Sequence, residues 1–179
     1  MRFKSKLVLV LVFIIMSFSA FAAKSNKKED VKMPNIVLYD QYGKKHNIEE
    51  YKGKVVVINF WATWCGYCVE EMPAFEKVYK EFGSNKKDVI ILGVAGPKTK
   101  QNLNNVDVEK DKIILFLNKK NITYPTLMDE TGKSFDDYKV RALPMTYVIN
   151  KDGYLEGFVN GAITDEQLRK AINETLKKK

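Results

Sequence analysis

Apolar and polar positions fall into blocks along this chain that predict strands and helices in turn. VVVINFW, starting at Val55, is an unbroken β-branched and aromatic run, the pattern of a central strand covered on both faces. VIILGVAG, starting at Val89, repeats that signal. Between them, Val69, Met72, Phe75, Val78, Tyr79 and Phe82 recur at helical spacing and predict an amphipathic helix over 66–82. Pro73 lies inside it and removes one helical hydrogen bond, which predicts a kink.

The polar stretch from Pro97 to Asp107 has no period and predicts a loop, followed by a helix from Val108 to Lys120. YPTLMDETG predicts a third strand ending in a turn, and SFDDYKV a short helix. LPMTYVINKDGYLEGFV reads as two strands joined at Lys151-Asp152-Gly153. A last helix opens on a capping box, Thr164 with Gln167, and turns Leu168, Ala171, Ile172 and Leu176 inward. Upstream, NIVLYD and KKHNI flank QYG and predict a short hairpin. Strands alternating with helices and closed by a hairpin imply an α/β fold, a central mixed sheet flanked by helices, in one domain over 34–179.

The N-terminus changes where that domain is expected to work. Arg2, Lys4 and Lys6 precede an apolar run from Leu7 that ends in Ala20-Phe21-Ala22, the layout of a signal peptide over 1–22. The alternative is an uncleaved N-terminal membrane anchor, since the run from Leu7 to Ala23 is at the lower edge of what spans a bilayer. Residues 23–33 are polar and read as a flexible tether. Loss of Arg2, Lys4 and Lys6 lowers the net charge from +8 to +5. The remaining lysines mix with acids and are not interleaved with aromatics, a solvated face rather than a nucleic-acid stripe.

The chemistry concentrates in NFWATWCGYCVEEMP, which holds the only two cysteines. Cys65 is placed at the first turn of the predicted helix, where unpaired N–H groups and the helix dipole stabilise a thiolate. Such positions lower a thiol pKa from about 8.5 into the range of roughly 3.5 to 7.5. Cys65 is therefore the candidate attacking sulfur. Cys68, one turn further in, is the candidate resolving thiol, and Gly66 lets another backbone come close. Three alternatives stand beside this reading: a structural disulfide, although such bridges gain most by closing longer loops; two buried reduced thiols; and a metal site. The metal reading lacks ligands, because the single histidine, His46, sits on the predicted hairpin and reads as an exposed polar residue.

These residues resemble the thioredoxin superfamily, and more closely its extracytoplasmic TlpA-type branch of thiol-disulfide oxidoreductases. The likeness rests on NFWATWCGYC, the acid and proline of CVEEMP, the DETG step and VRALPMTYVINKDG, and runs from about Pro34 to the C-terminus. It implies a thioredoxin-like fold with an N-terminal β-hairpin extension and a central insertion. It implies that Pro144 is cis and faces the cysteines, that the backbone of Leu143 grips an extended client strand, and that Trp64, Gly66 and Tyr67 border the client. Asn59 stands where thioredoxin has a buried aspartate, so another base must serve Cys68. Glu71 matches the branch's glutamate and lies one helical turn from Cys68; the alternative is a solvated helix acid like its neighbour Glu70.

The implied function is reduction of disulfides in exported proteins, with electrons from a membrane thiol carrier and without metal or organic cofactor. By resemblance, clients are apocytochromes or a methionine sulfoxide reductase, met by a monomer in the periplasm or an equivalent extracytoplasmic space. Gly66-Tyr67 departs from the proline that many TlpA-type members carry before the second cysteine, which leaves an oxidase as the nearest alternative. A thiol peroxidase would want its threonine one residue further ahead of Cys65 than Thr63, and a copper-delivery module would want a distal histidine.

Overall fold

The computed structural model describes residues 30–178, so the signal peptide and most of the tether read from the sequence lie outside the described residues. The tether's last residues lie within them. Met33 N–H donates to the Gly153 carbonyl at 3.0 Å and Leu155 N–H to the Val31 carbonyl at 2.8 Å, which brings Val31–Met33 onto the hairpin turn at the far end of the chain.

Strands β1 (Val37–Tyr39) and β2 (Lys45–Asn47) form the expected antiparallel hairpin. A short 3-10 turn over Ile48–Tyr51, which no sequence pattern announced, leads from it to β3 (Val55–Phe60). Four further strands complete the sheet: β4 (Val89–Ala95), β5 (Thr126–Met128), β6 (Met145–Ile149) and β7 (Leu155–Asn160). The strand order is β5-β4-β3-β6-β7. β3 runs parallel to β4 and antiparallel to β6, so the sheet is mixed, with β3 at its centre.

The unbroken apolar pattern of β3 and β4 follows from cover on both faces. Val55, Val57 and Ile91 point into one core with Met72, Phe75 and Val78 of helix α1 (Gly66–Glu81), Ile113 and Leu117 of α2 (Lys110–Lys119), and Leu168 and Ile172 of α4 (Asp165–Lys177). Val56, Ile58, Phe60, Ile90 and Leu92 point the other way, against Phe135 of helix α3 (Lys133–Asp137), Tyr138, Ile36 and Ile48. Burying one such side chain is worth about 2 kcal/mol, so these two layers fix which residue of β3 faces which helix. In β4, Gly93 admits close packing: a Cβ there would meet Thr126 Oγ1 at 2.9 Å and Trp61 Nε1 at 3.0 Å.

Helix α1 ends one residue before the expected limit and carries Pro73 on its exposed side. α2 starts at Lys110 rather than Val108. α4 carries the capping box at Thr164 and Gln167; Leu168 and Ile172 are fully buried, Ala171 and Leu176 half-buried, and Thr175 is buried in addition.

The expectation that His46 is exposed is corrected. It is 3% exposed, with Nε2 at 2.8 Å from Asp40 Oδ2 and Nδ1 at 2.6 Å from the Tyr51 hydroxyl. Alternation along β2 turns this middle residue inward, and the loop and the 3-10 turn supply a partner for each ring nitrogen. Buried polar groups need such partners.

Candidate active site

The central strand delivers the cysteine loop. β3 ends at Phe60, Trp61 N–H still bonds the Val94 carbonyl at 3.1 Å, and Cys65 N–H turns back to the Ala62 carbonyl at 3.2 Å. Cys65 is the N-cap of α1 in extended conformation, and the Cys68 N–H donates to its Sγ at 3.2 Å. A cap position leaves the first helical N–H groups free to meet a sulfur, which is what a thiolate requires. The two cysteines form a disulfide, with Cα atoms 5.2 Å apart. Cys65 is 6% exposed and Cys68 1%, so the outer sulfur is the one a partner reaches first.

The flanking residues separate by role. Trp61 is fully buried and stacks on Phe116 at 5.9 Å between ring centroids. Trp64 and Tyr67 are exposed beside the pair, as is Gly66, where a Cβ would meet nothing within 4 Å. The Trp64 indole donates to the Val106 carbonyl at 2.8 Å, which holds the ring against the loop after β4. The Leu143-Pro144 peptide is cis. Met145 pairs with Phe60 across β6 and β3, so Pro144 stands just beyond the strand end from which the cysteine loop departs. The Leu143 side chain is half-buried against both cores.

Glu71 is not a solvated helix acid. It is 4% exposed, and its two oxygens accept hydrogen bonds from Asn59 Nδ2 at 2.8 Å and from the Ile163 N–H at 2.9 Å. Asn59 Nδ2 also donates to Thr146 Oγ1 at 3.0 Å. Burial pushes the Glu71 carboxyl up to about 7, and the Ile163 and Asn59 hydrogen bonds offset part of that rise. Both of these donors are neutral, so they hold the carboxylate without a counter-cation.

Two parts of this arrangement carried no sequence signal. Ile163 and Thr146 reach the carboxylate and its amide partner from the start of α4 and from β6. Asp107, at the end of the patternless loop, is 1% exposed and binds Thr63, two residues before Cys65. Among the described residues, no group of three or more His, Cys, Asp or Glu side chains is placed to hold a metal.

A cysteine pair capping the helix after a central strand, next to a cis-proline, on a mixed five-strand sheet defines the thioredoxin-like class. The chain belongs to the AhpC/TSA family, whose model matches residues 30–157. The thiol-disulfide oxidoreductase ResA of Bacillus subtilis (strain 168) is 30% identical over 155 residues, covering 87% of this chain and 80% of that protein. ResA of Geobacillus thermodenitrificans (strain NG80-2) is 28% identical over 174 residues, covering 95% and 92%. Among solved structures, the exposed lipoprotein thioredoxin Etrx1 from Streptococcus pneumoniae strain TIGR4 matches with a TM-score of 0.66 and 28% identity, over 79% of this chain and 99% of that one. This chain is accordingly a protein thiol-disulfide oxidoreductase.

Proposed function

We propose that the protein is an extracytoplasmic reductant that takes electrons from a membrane thiol carrier and passes them to disulfides of exported clients. The Cys65 thiolate attacks a client sulfur, giving a mixed disulfide and releasing the client's other sulfur as a thiolate, which takes a proton from water. Glu71 takes the proton of Cys68, and the Cys68 thiolate attacks Cys65, expelling the second client sulfur as a thiolate that takes up that proton to complete the client dithiol, and leaving the intramolecular disulfide. The carrier then reduces that disulfide. Leu143 and cis-Pro144 present backbone to an extended client segment, with Trp64, Gly66 and Tyr67 as its border. Apocytochromes awaiting haem, or a methionine sulfoxide reductase, are clients of the kind the family resemblance implies. Residues 1–22 carry the chain out of the cytoplasm, by cleavage after Ala22 or by staying as an anchor, and the domain acts as a monomer.

The observation that carries the direction is Glu71. A cysteine pair is strongly oxidising as a disulfide when the thiolate of its reduced form is stabilised by charge or by many donors. Here the neighbour one turn from Cys68 is a buried acid held by two neutral donors. Its charge raises the cost of a thiolate, which keeps the dithiol a ready electron donor.

The test is a Cys68→Ala trap made in the full-length chain and expressed in its own cell envelope. Partners captured on Cys65 are identified, and their cysteines are then scored in cells lacking the protein. Accumulation of those partners as disulfides supports reduction; accumulation as free thiols makes the protein an oxidase.

A further inference from the structure

We propose that Asp107 is a positioning residue for the exchange reaction, tuning the reduction potential of the cysteine pair through Thr63. The inference rests on the reading of Cys65 as the exchanging sulfur, and it names a residue that neither the family resemblance nor the sequence pattern singles out.

The segment from Pro97 to Val108 is built around this contact. Asn105 Nδ2 donates to the Pro97 and Asp129 carbonyls at 2.9 and 2.8 Å, and Asp107 N–H to the Gly96 carbonyl at 2.8 Å. These bonds fold the segment back onto the end of β4. That places the Asp107 carboxylate under the cysteine loop, where Oδ2 accepts the Thr63 N–H at 2.7 Å and Oδ1 accepts the Thr63 hydroxyl and, at 2.8 Å, the Val108 N–H. At the next residue of the loop, the Trp64 indole reaches the Val106 carbonyl. The cysteine loop is thus tied at two consecutive residues to two consecutive residues of one segment.

Three properties follow. The Thr63 N–H, two residues before Cys65, is committed to a carboxylate. A negative charge is held beside the loop by the neutral donors of Thr63 and Val108, and a charge so placed disfavours a thiolate at Cys65. The clamp also fixes the exposed Trp64 ring at the border of the pair. Asp107 therefore acts on the pair in the same sense as Glu71.

Asp107→Asn retains an acceptor for the Thr63 N–H and a polar partner for its hydroxyl, leaves the Val108 N–H without its acceptor, and removes the charge. Its Cys65-Cys68 pair is expected to be more oxidising than wild type, with the glutathione equilibrium shifted about tenfold toward the dithiol, roughly 30 mV. Thr63→Val strips one donor from the carboxylate, leaves its charge less screened, and shifts the equilibrium the opposite way; Thr63→Ser keeps the hydroxyl and restores the wild-type value. Wild-type potentials in both Asp107→Asn and Thr63→Val, with only a fall in thermal midpoint, would reduce Asp107 to a strut and overturn the inference. If Asp107→Asn does not fold, the Thr63 pair decides alone. Cys65→Ala is assayed alongside: retained turnover there would defeat the reading of Cys65 itself, independently of the potentials.

Discussion

Glu71 on α1 and Asn59 on the central strand meet at 2.8 Å, amide to carboxylate, where thioredoxin keeps an acid on the strand. The acid has changed places: the strand position donates an amide N–H, and the helix position, one turn from Cys68, carries the carboxyl group. Asn59 Nδ2 also reaches Thr146 Oγ1 on β6, which fixes the direction in which the amide points.

This pairing makes stability depend on pH. The Glu71 carboxyl lies near 7 in the folded protein and near 4.5 in the unfolded chain, so the folded state holds the proton more tightly between those values. Stability contributed by this group is fully present below the unfolded value and is lost as pH rises through about 7. The change amounts to about 3 kcal/mol. In thermal unfolding of the oxidised protein, Glu71→Gln should remove the decline across that window and be the more stable protein at pH 8. Parallel curves for the two proteins would show that the Glu71 proton is not linked to folding.

The same variant should separate the two halves of exchange. With Gln at position 71, formation of the mixed disulfide, which does not use Glu71 as a base, should not slow, while its resolution by Cys68 slows by about a hundredfold, the scale of a lost general base. In the wild type, resolution should fall with decreasing pH around a midpoint near 7, where Glu71 is protonated. Stopped-flow tryptophan fluorescence reads both steps, because Trp61 and Trp64 flank the pair. An unchanged resolution rate in Glu71→Gln would assign the proton to water.

Order of attack follows from exposure. Cys65→Ala should abolish reduction of a protein disulfide, and Cys68→Ala should halt at a stable mixed disulfide visible on non-reducing gels. Turnover by either single variant would contradict the two-sulfur cycle.

The Asp40-His46-Tyr51 chain ties the hairpin to the 3-10 turn that follows it. His46→Leu leaves Asp40 Oδ2 without the partner it has at 2.8 Å, at a cost of about 1–3 kcal/mol. Urea unfolding should register that loss while the reduction potential stays at the wild-type value. A shifted potential would mean that the hairpin is coupled to the active site.

Periodicity made the sheet legible because β3 and β4 are covered on both faces, and an unbroken β-branched run of that length fits little besides a buried strand. The helix that carries the cysteines was equally plain from its apolar spacing. Helical spacing also brought Glu71 to within a turn of Cys68. It could not show that the start of α4 and β3 close over the carboxylate, because Ile163 and Asn59 are far from it in sequence. His46 was misread for a similar reason: a polar residue in a three-residue strand carries no hydropathic mark of burial, and its partners come from a loop and a turn. Asp107 sits in a segment without period, where only the folded chain shows what an acid binds.

Electrons that leave the protein through Cys65-Cys68 do so at the reduction potential of that pair. Equilibration in graded glutathione buffers, read by tryptophan fluorescence, should give a value near thioredoxin's, about −270 mV, as the buried acids Glu71 and Asp107, each held by neutral donors, require. A value near about −120 mV, that of a strong oxidant, would make the protein a donor of disulfides and rule out the reductant.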